Sequence, residues 1–160
     1  MSRLVRTAIV VAVALSAACG EKAAEAPAPP VGHLFTDATS GVGLDLPTVW
    51  AGRYRVSDGI ATPTPGLQRE LAFRFVRADS TLVAEPLIVM RVFDRGEWSK
   101  IPADAANGLF GTVIASDEEH TVTVRPAAGN PLAAGSADAL AFDSLMMVVL
   151  QRPLRASLRP

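Results

Sequence analysis

Apolar and polar residues alternate over several short runs. Val42, Leu44 and Leu46 alternate with Gly43 and Asp45, the period of a half-buried strand, and Pro47 ends the run. Over residues 52–57, Tyr54 and Val56 face one way and Arg53 and Arg55 the other; Asp58-Gly59 is a turn signal, and residues 62–66 (TPTPG) form a loop. Leu71, Phe73 and Phe75 interleave with Ala72, Arg74 and Val76 in a strand with one strongly apolar face. Residues 86–93 (PLIVMRVF) are almost continuously apolar, as in a central strand buried on both faces, with Pro86 at its start where a missing donor is tolerated. Two further β-rich runs, residues 110–115 and 121–124, flank an acidic turn at residues 116–119. The helical period appears at the C-terminal end. Phe142, Leu145, Met146 and Val149 fall at i, i+3, i+4 and i+7, Ser136 is a candidate cap, Asp138 lies in the first turn, and Pro153 stops the helix. Residues 95–106 carry Trp98 and Ile101 three apart, and Pro102 limits any helix there to short pieces.

These elements predict an α+β domain: a single curved, mostly antiparallel sheet of about six strands with one or two packed helices. The globular part is expected over residues 33–151, and residues 152–160, with Arg152, Arg155 and Arg159, read as a charged tail.

The N-terminal pattern is of another kind. Thirteen of the first eighteen residues are apolar; Arg3 and Arg6 precede an uncharged stretch at residues 7–18. A basic start, an apolar run of about a dozen residues and then small residues is the layout of a secretory signal peptide, here residues 1–18. The run falls short of the roughly 20 apolar residues that span a bilayer. Leu15-Ser16-Ala17-Ala18-Cys19 resembles the lipobox of bacterial lipoproteins. Ala18 is the small residue wanted before the cysteine, and Ser16 stands where leucine is commonest, with Leu15 one position earlier. The resemblance implies that Cys19 is acylated and becomes the mature N-terminus, so that the exported protein is held on the lipid bilayer by its acyl chains. Gly20 is not the aspartate that retains lipoproteins in the inner membrane, which implies the outer membrane where there is one. Residues 19–32 then form an Ala/Pro-rich tether, extended because proline prevents helix formation.

Composition narrows the function classes. The chain of 160 residues is 49% hydrophobic and 19% charged, with a formal net charge of −1. That apolar content is too high for a disordered chain, and the near-zero charge argues against a nucleic-acid partner. A single cysteine excludes an internal disulfide and a Cys-rich zinc site. From Cys19 onward, thirteen basic residues face sixteen acidic ones, so a bilayer would hold the chain through acyl groups and not through charge. Beyond the tether eleven of the twelve basic residues are arginine, scattered along the chain and read as coding bias before any phosphate-binding role.

A second resemblance spans most of residues 34–150. Phe35-Thr-Asp-Ala-Thr-Ser-Gly-Val-Gly-Leu-Asp-Leu-Pro47 with Trp50, then Arg91-Val-Phe-Asp-Arg-Gly-Glu-Trp98, Gly111-Thr-Val-Ile-Ala115 and Asn130-Pro131 before a terminal helix, is similar to PsbP-like domains of bacterial envelope lipoproteins. It implies an α/β/α sandwich and a binding or accessory role, and carries no catalytic signature.

No nucleophile elbow, phosphate loop or zinc-protease motif occurs in the chain. Neither His33 nor His120 points to a metal, and no cofactor is called for. Asp94, Glu97, Asp104, Asp117 and Asp143 are carboxylates that a cell-wall or glycan hydrolase could use, the alternative to a non-catalytic binding domain. Trp50, Tyr54 and Trp98 are the candidate ligand groove, suited to a small apolar ligand or an envelope protein; the other reading is that each tryptophan plugs one end of the sheet against a helix.

Overall fold

A computed structural model describes residues 32–59 and 63–158. The signal segment, Cys19 and the tether as far as residue 31 lie outside the described residues, as does part of the loop expected at residues 62–66.

The six expected runs become strands and two that were not expected, the first and the last, join them: β1 (His33–Thr36), β2 (Gly43–Leu46), β3 (Tyr54–Asp58), β4 (Leu67–Val76), β5 (Leu82–Asp94), β6 (Thr112–Ser116), β7 (His120–Pro126) and β8 (Arg155–Ser157). The helices are α1 (Arg95–Trp98), α2 (Ala103–Phe110) and α3 (Ala137–Gln151), with a single 3-10 turn at Thr48–Trp50. The α+β class stands, and every pairing is antiparallel. The strands form two sheets where one was expected, of order β1-β2-β8 and β3-β4-β5-β7-β6. The second sheet arises because β2 pairs with β1 and not with β3, and the segment beyond α3, expected as a free tail, adds a third strand to it. Leu154 is buried, and Arg155–Ser157 pairs with Gly43–Asp45 of β2.

The apolar run of β5 does sit at the centre of the larger sheet. The strand begins four residues before Pro86, which lies opposite Arg74 at a register shift. A bulge is where an interior strand tolerates a residue without an N–H. Phe110, expected at the start of a strand, instead ends α2; Gly111 then turns the chain at φ 90°, where an added Cβ would collide with the Val124 carbonyl and come within 2.7 Å of the Arg125 Cα. Only glycine fits that turn.

One face of the larger sheet holds the main core. Leu71, Phe73 and Phe75 of β4 share this face with Ile88, Met90 and Val92 of β5, and all are buried. α3 lies on it through Phe142, Leu145, Met146 and Val149, the stripe read from the sequence, with the Phe142 and Phe75 rings 5.8 Å apart edge to face. Ser136 caps α3 by accepting from the Ala139 N–H at 3.1 Å. The smaller sheet covers the same face: Phe35 meets Phe73 edge-on at 5.0 Å, and Leu44 and Leu46 are wholly buried. α1 and α2 pack on the opposite face through Trp98 and Phe110 against Phe93. The larger sheet therefore carries helices on both sides.

A charged clamp ties the hairpin of the smaller sheet to β4. Asp37 closes the β1–β2 turn by accepting from the Ser40 N–H and Oγ, and it also accepts from Arg69 Nε and Nη2, each at 3.2 Å. Burial by itself would raise the Asp37 carboxyl, but the hydrogen bonds from Arg69 and Ser40 outweigh it and hold the pKa below the ordinary 3.8.

Two consequences can be measured. Trp50 is wholly buried, and its Nε1 donates to the Leu145 carbonyl of α3 at 3.2 Å, so Trp50→Ala is expected to cost about 3–5 kcal/mol in urea unfolding. Because the Asp37 carboxyl is depressed on folding, its contribution is complete above the unfolded value and is lost as pH falls below about 4. The stability gap between wild type and Asp37→Asn should therefore be open at neutral pH and narrow as pH falls below about 4.

Candidate functional site

The three aromatic residues proposed as one groove are separated by the sheet. Trp50 and Tyr54 share the core face, with ring centroids 6.0 Å apart, and Tyr54 continues to Phe73 at 5.7 Å. The Tyr54 hydroxyl meets His33 Nε2 at 2.9 Å, and its pKa is raised by burial. Trp98 lies on the opposite face, 4.8 Å from Phe93 and 6.1 Å from Phe110. Alternation along β5 places Phe93 away from Met90 and Val92, so no shared groove forms. Each tryptophan is packing between sheet and helix.

Four of the five candidate carboxylates serve local structure, and the fifth, Asp104, lies exposed in the first turn of α2. Asp94 caps α1 by accepting from the Glu97 N–H, Glu97 pairs with Lys100, Asp117 closes the β6–β7 turn by accepting from the Glu119 and His120 N–H groups, and Asp143 accepts from Asn130 Nδ2. Among the described residues no group of three or more His, Cys, Asp or Glu side chains could hold a metal ion.

The same face that carries Phe93 holds a feature the sequence reading missed. Four of the arginines scattered along the chain occupy outward positions of neighbouring strands. Arg55 on β3 is directly opposite Arg74 on β4; Ala72 pairs with Val89 on β5, which pairs with Arg125 on β7; Glu70 pairs with Arg91, which pairs with Thr123. The result is a small apolar floor of Ala72 and Val89 framed by Arg74, Arg91 and Arg125. Leu109 and Phe110 of α2 wall one side and enclose a cavity of about 500 Å³. A second hollow of about 430 Å³ shares Pro86, Val89 and Arg125 and runs on past Gly108 to Thr112.

The charges here are unevenly satisfied. Arg91, only 8% exposed, donates from Nε to Glu70 Oε2 at 2.6 Å, and its guanidinium lies 5.8 Å from the Phe110 ring centroid. Among the described residues, the Arg74 side chain has only a 3.4 Å contact to Ser57 Oγ and no acidic partner. The Arg125 side chain is exposed and makes no hydrogen bond or ion pair with any described residue. Glu85 is the only other carboxylate lining these hollows among the described residues. Like charges directly opposite on adjacent strands are destabilising, so the Arg55–Arg74 pair works against folding in the absence of an anion. The outward period-two positions were the signal in the sequence, visible only once it was known which strands are neighbours.

Elsewhere, α3 leaves Leu140, Met147 and Leu150 exposed on its outer side, and a hollow of about 420 Å³ adjoins it against residues 127–130. Among the described residues no helix is long and apolar enough to cross a membrane.

Comparison with protein-family models, with curated proteins and with solved structures returns no match for this chain.

If Arg55 and Arg74 repel across the β3–β4 pair, Arg74→Gln should raise the melting temperature by about 1–4 °C, and the gain should shrink at high salt. A thermal melt at low and at high ionic strength reads this directly.

Proposed function

We propose that the chain is a lipoprotein of the bacterial cell envelope, tethered to the membrane through acyl chains on Cys19 and carrying a non-catalytic binding or accessory domain. The observation that carries the reading is the order of parts: a basic start, an uncharged apolar run, Leu15-Ser16-Ala17-Ala18-Cys19, a Pro-rich spacer and then a folded domain from His33. Acyl chains contribute about 0.8 kcal/mol per buried methylene, enough with more than one chain to hold a domain at a bilayer without a spanning helix. A spacer of about a dozen residues, extended at about 3 Å each, leaves the domain a few nanometres from the lipid and free to meet a ligand.

The binding role is supported by the arginine-framed hollow on the open face of the larger sheet, a concave surface on which Arg74 and Arg125 have no acidic partner among the described residues. The accessory role is supported by exposed Leu140, Met147 and Leu150 on α3, which suit an envelope protein as partner. Helices on both sides of an antiparallel sheet agree with the PsbP-like resemblance and with the binding and accessory roles it implies. Of the carboxylates named for a hydrolase, Asp94, Glu97, Asp117 and Asp143 are engaged in a cap, a surface ion pair, a turn and a hydrogen bond to Asn130, which favours the non-catalytic reading.

The test is covalent. Mature protein from membranes should carry an acyl mass increment on Cys19, and Cys19→Ser should remove it and release the chain into the soluble fraction. An unmodified Cys19 in the mature wild-type protein would overturn the lipoprotein reading.

A further inference from the structure

The open face of the larger sheet presents an unusual combination. Three adjacent strands each contribute an arginine around an apolar floor, in a chain that from Cys19 onward is net acidic. Arg91 is already neutralised by Glu70, which leaves Arg74 and Arg125 as the available cations. From the strand register their Cα atoms lie about 12 Å apart, two strands across and two residues along. Both side chains line the same cavity as Ala72 and Val89, Arg74 from the β3 side, where its Nε lies 3.4 Å from Ser57 Oγ, and Arg125 from β7. A guanidinium presents its donors as a planar fork that matches a carboxylate or a phosphate, and a lone exposed cation of this kind is satisfied by an anion.

The surroundings define the rest of the ligand. Leu109, 61% exposed at the rim, and half-buried Phe110 offer an apolar surface beside the buried floor of Ala72 and Val89, one that inorganic phosphate by itself would leave unused. The adjoining hollow, which shares Val89 and Arg125, extends the same trough beyond Gly108 and gives room for a body longer than the charged group.

We propose that this face binds a small amphipathic anion, a carboxylate or phosphate ester joined to an apolar body, with its charge held by Arg74 and Arg125 and its body laid on Ala72 and Val89 against Leu109. The proposal rests on the binding-domain reading above and names the ligand class of that surface. It also accounts for the retention of like charges opposite one another at Arg55 and Arg74, since a bound anion turns that repulsion into attraction.

The experiment uses the full-length protein in nanodiscs of zwitterionic phosphatidylcholine. It is titrated by calorimetry with 1-naphthyl phosphate, 1-naphthoate, neutral 1-naphthylmethanol and inorganic phosphate. Both naphthyl anions should bind, and the neutral alcohol and inorganic phosphate should each bind at least about tenfold more weakly. Arg125→Gln and Arg74→Gln should each weaken the naphthyl anions about tenfold, while Arg155→Gln, on exposed β8, should leave binding unchanged. Leu109→Asp should weaken 1-naphthyl phosphate more than inorganic phosphate. Arg125 has no partner to lose, so its variant should keep the wild-type circular dichroism and melting curve, which separates a binding defect from unfolding.

Equal binding of the neutral alcohol, unaltered affinity in the Arg74→Gln/Arg125→Gln double variant, or no binding of either naphthyl anion at millimolar concentration would each overturn the proposal. The two readings fail separately. An acylated Cys19 without anion binding removes this site and leaves the tether; anion binding by a chain with unmodified Cys19 does the reverse.

Discussion

The period of two along β4 and β5 is the constraint on which the rest of the structure depends. A strand cannot turn two successive side chains to the same face without a bulge, so placing Leu71, Phe73 and Phe75 on one side commits Glu70, Ala72 and Arg74 to the other. The same alternation in β5 sends Met90 and Val92 to the core and Arg91 and Phe93 outward. One face becomes a continuous apolar surface that must be covered, and α3 and the smaller sheet both pack there. The other face is apolar only near Phe93, and the short helices α1 and α2 suffice to cover that part. The remainder of the outer face is left as an open, arginine-bearing trough.

The two faces differ in electrostatics as well as in packing. On the core side the notable charged group is Asp37, and it is held by Arg69 and Ser40 in a clamp that joins the hairpin of the smaller sheet to β4. A buried carboxylate with its hydrogen bonds made is structural. On the outer side Arg91 and Glu70 satisfy one another, whereas Arg74 and Arg125 find no acid among the described residues. Cations left free on a concave surface while the chain as a whole has acidic residues to spare are better explained by an external anion than by stability.

Much of the domain was legible beforehand because its elements have strong local periods. The stripe from Phe142 to Val149, the Ser136 cap and the alternation in β2 and β4 needed no knowledge of neighbours. Three features were not legible, each for a reason outside the local segment. Arg155–Ser157 reads as a charged tail because three residues have no period to detect, and it is a strand only because β2 offers an unpaired edge. Phe110 reads as the start of a strand because it adjoins β-branched residues, yet it ends α2 because its ring packs on Phe93 and Gly111 supplies the turn. Trp50, Tyr54 and Trp98 share an amphipathic character suited to a ligand groove, but chain order is silent about which side of the sheet each will occupy.

The sequence by itself determined the element types, the α+β class, the core stripe of the last helix and the layout of the N-terminal segment, since these are written in local spacing and in short contiguous motifs. The tertiary structure decided which strands are neighbours, that there are two sheets, and that arginines at positions 55, 74, 91 and 125 share one face. The physical reason is the same in each case. Periodicity assigns a side chain to one of two faces of its own strand, but the residues beside it across the sheet come from strands that are distant in the chain, and only pairing brings them together.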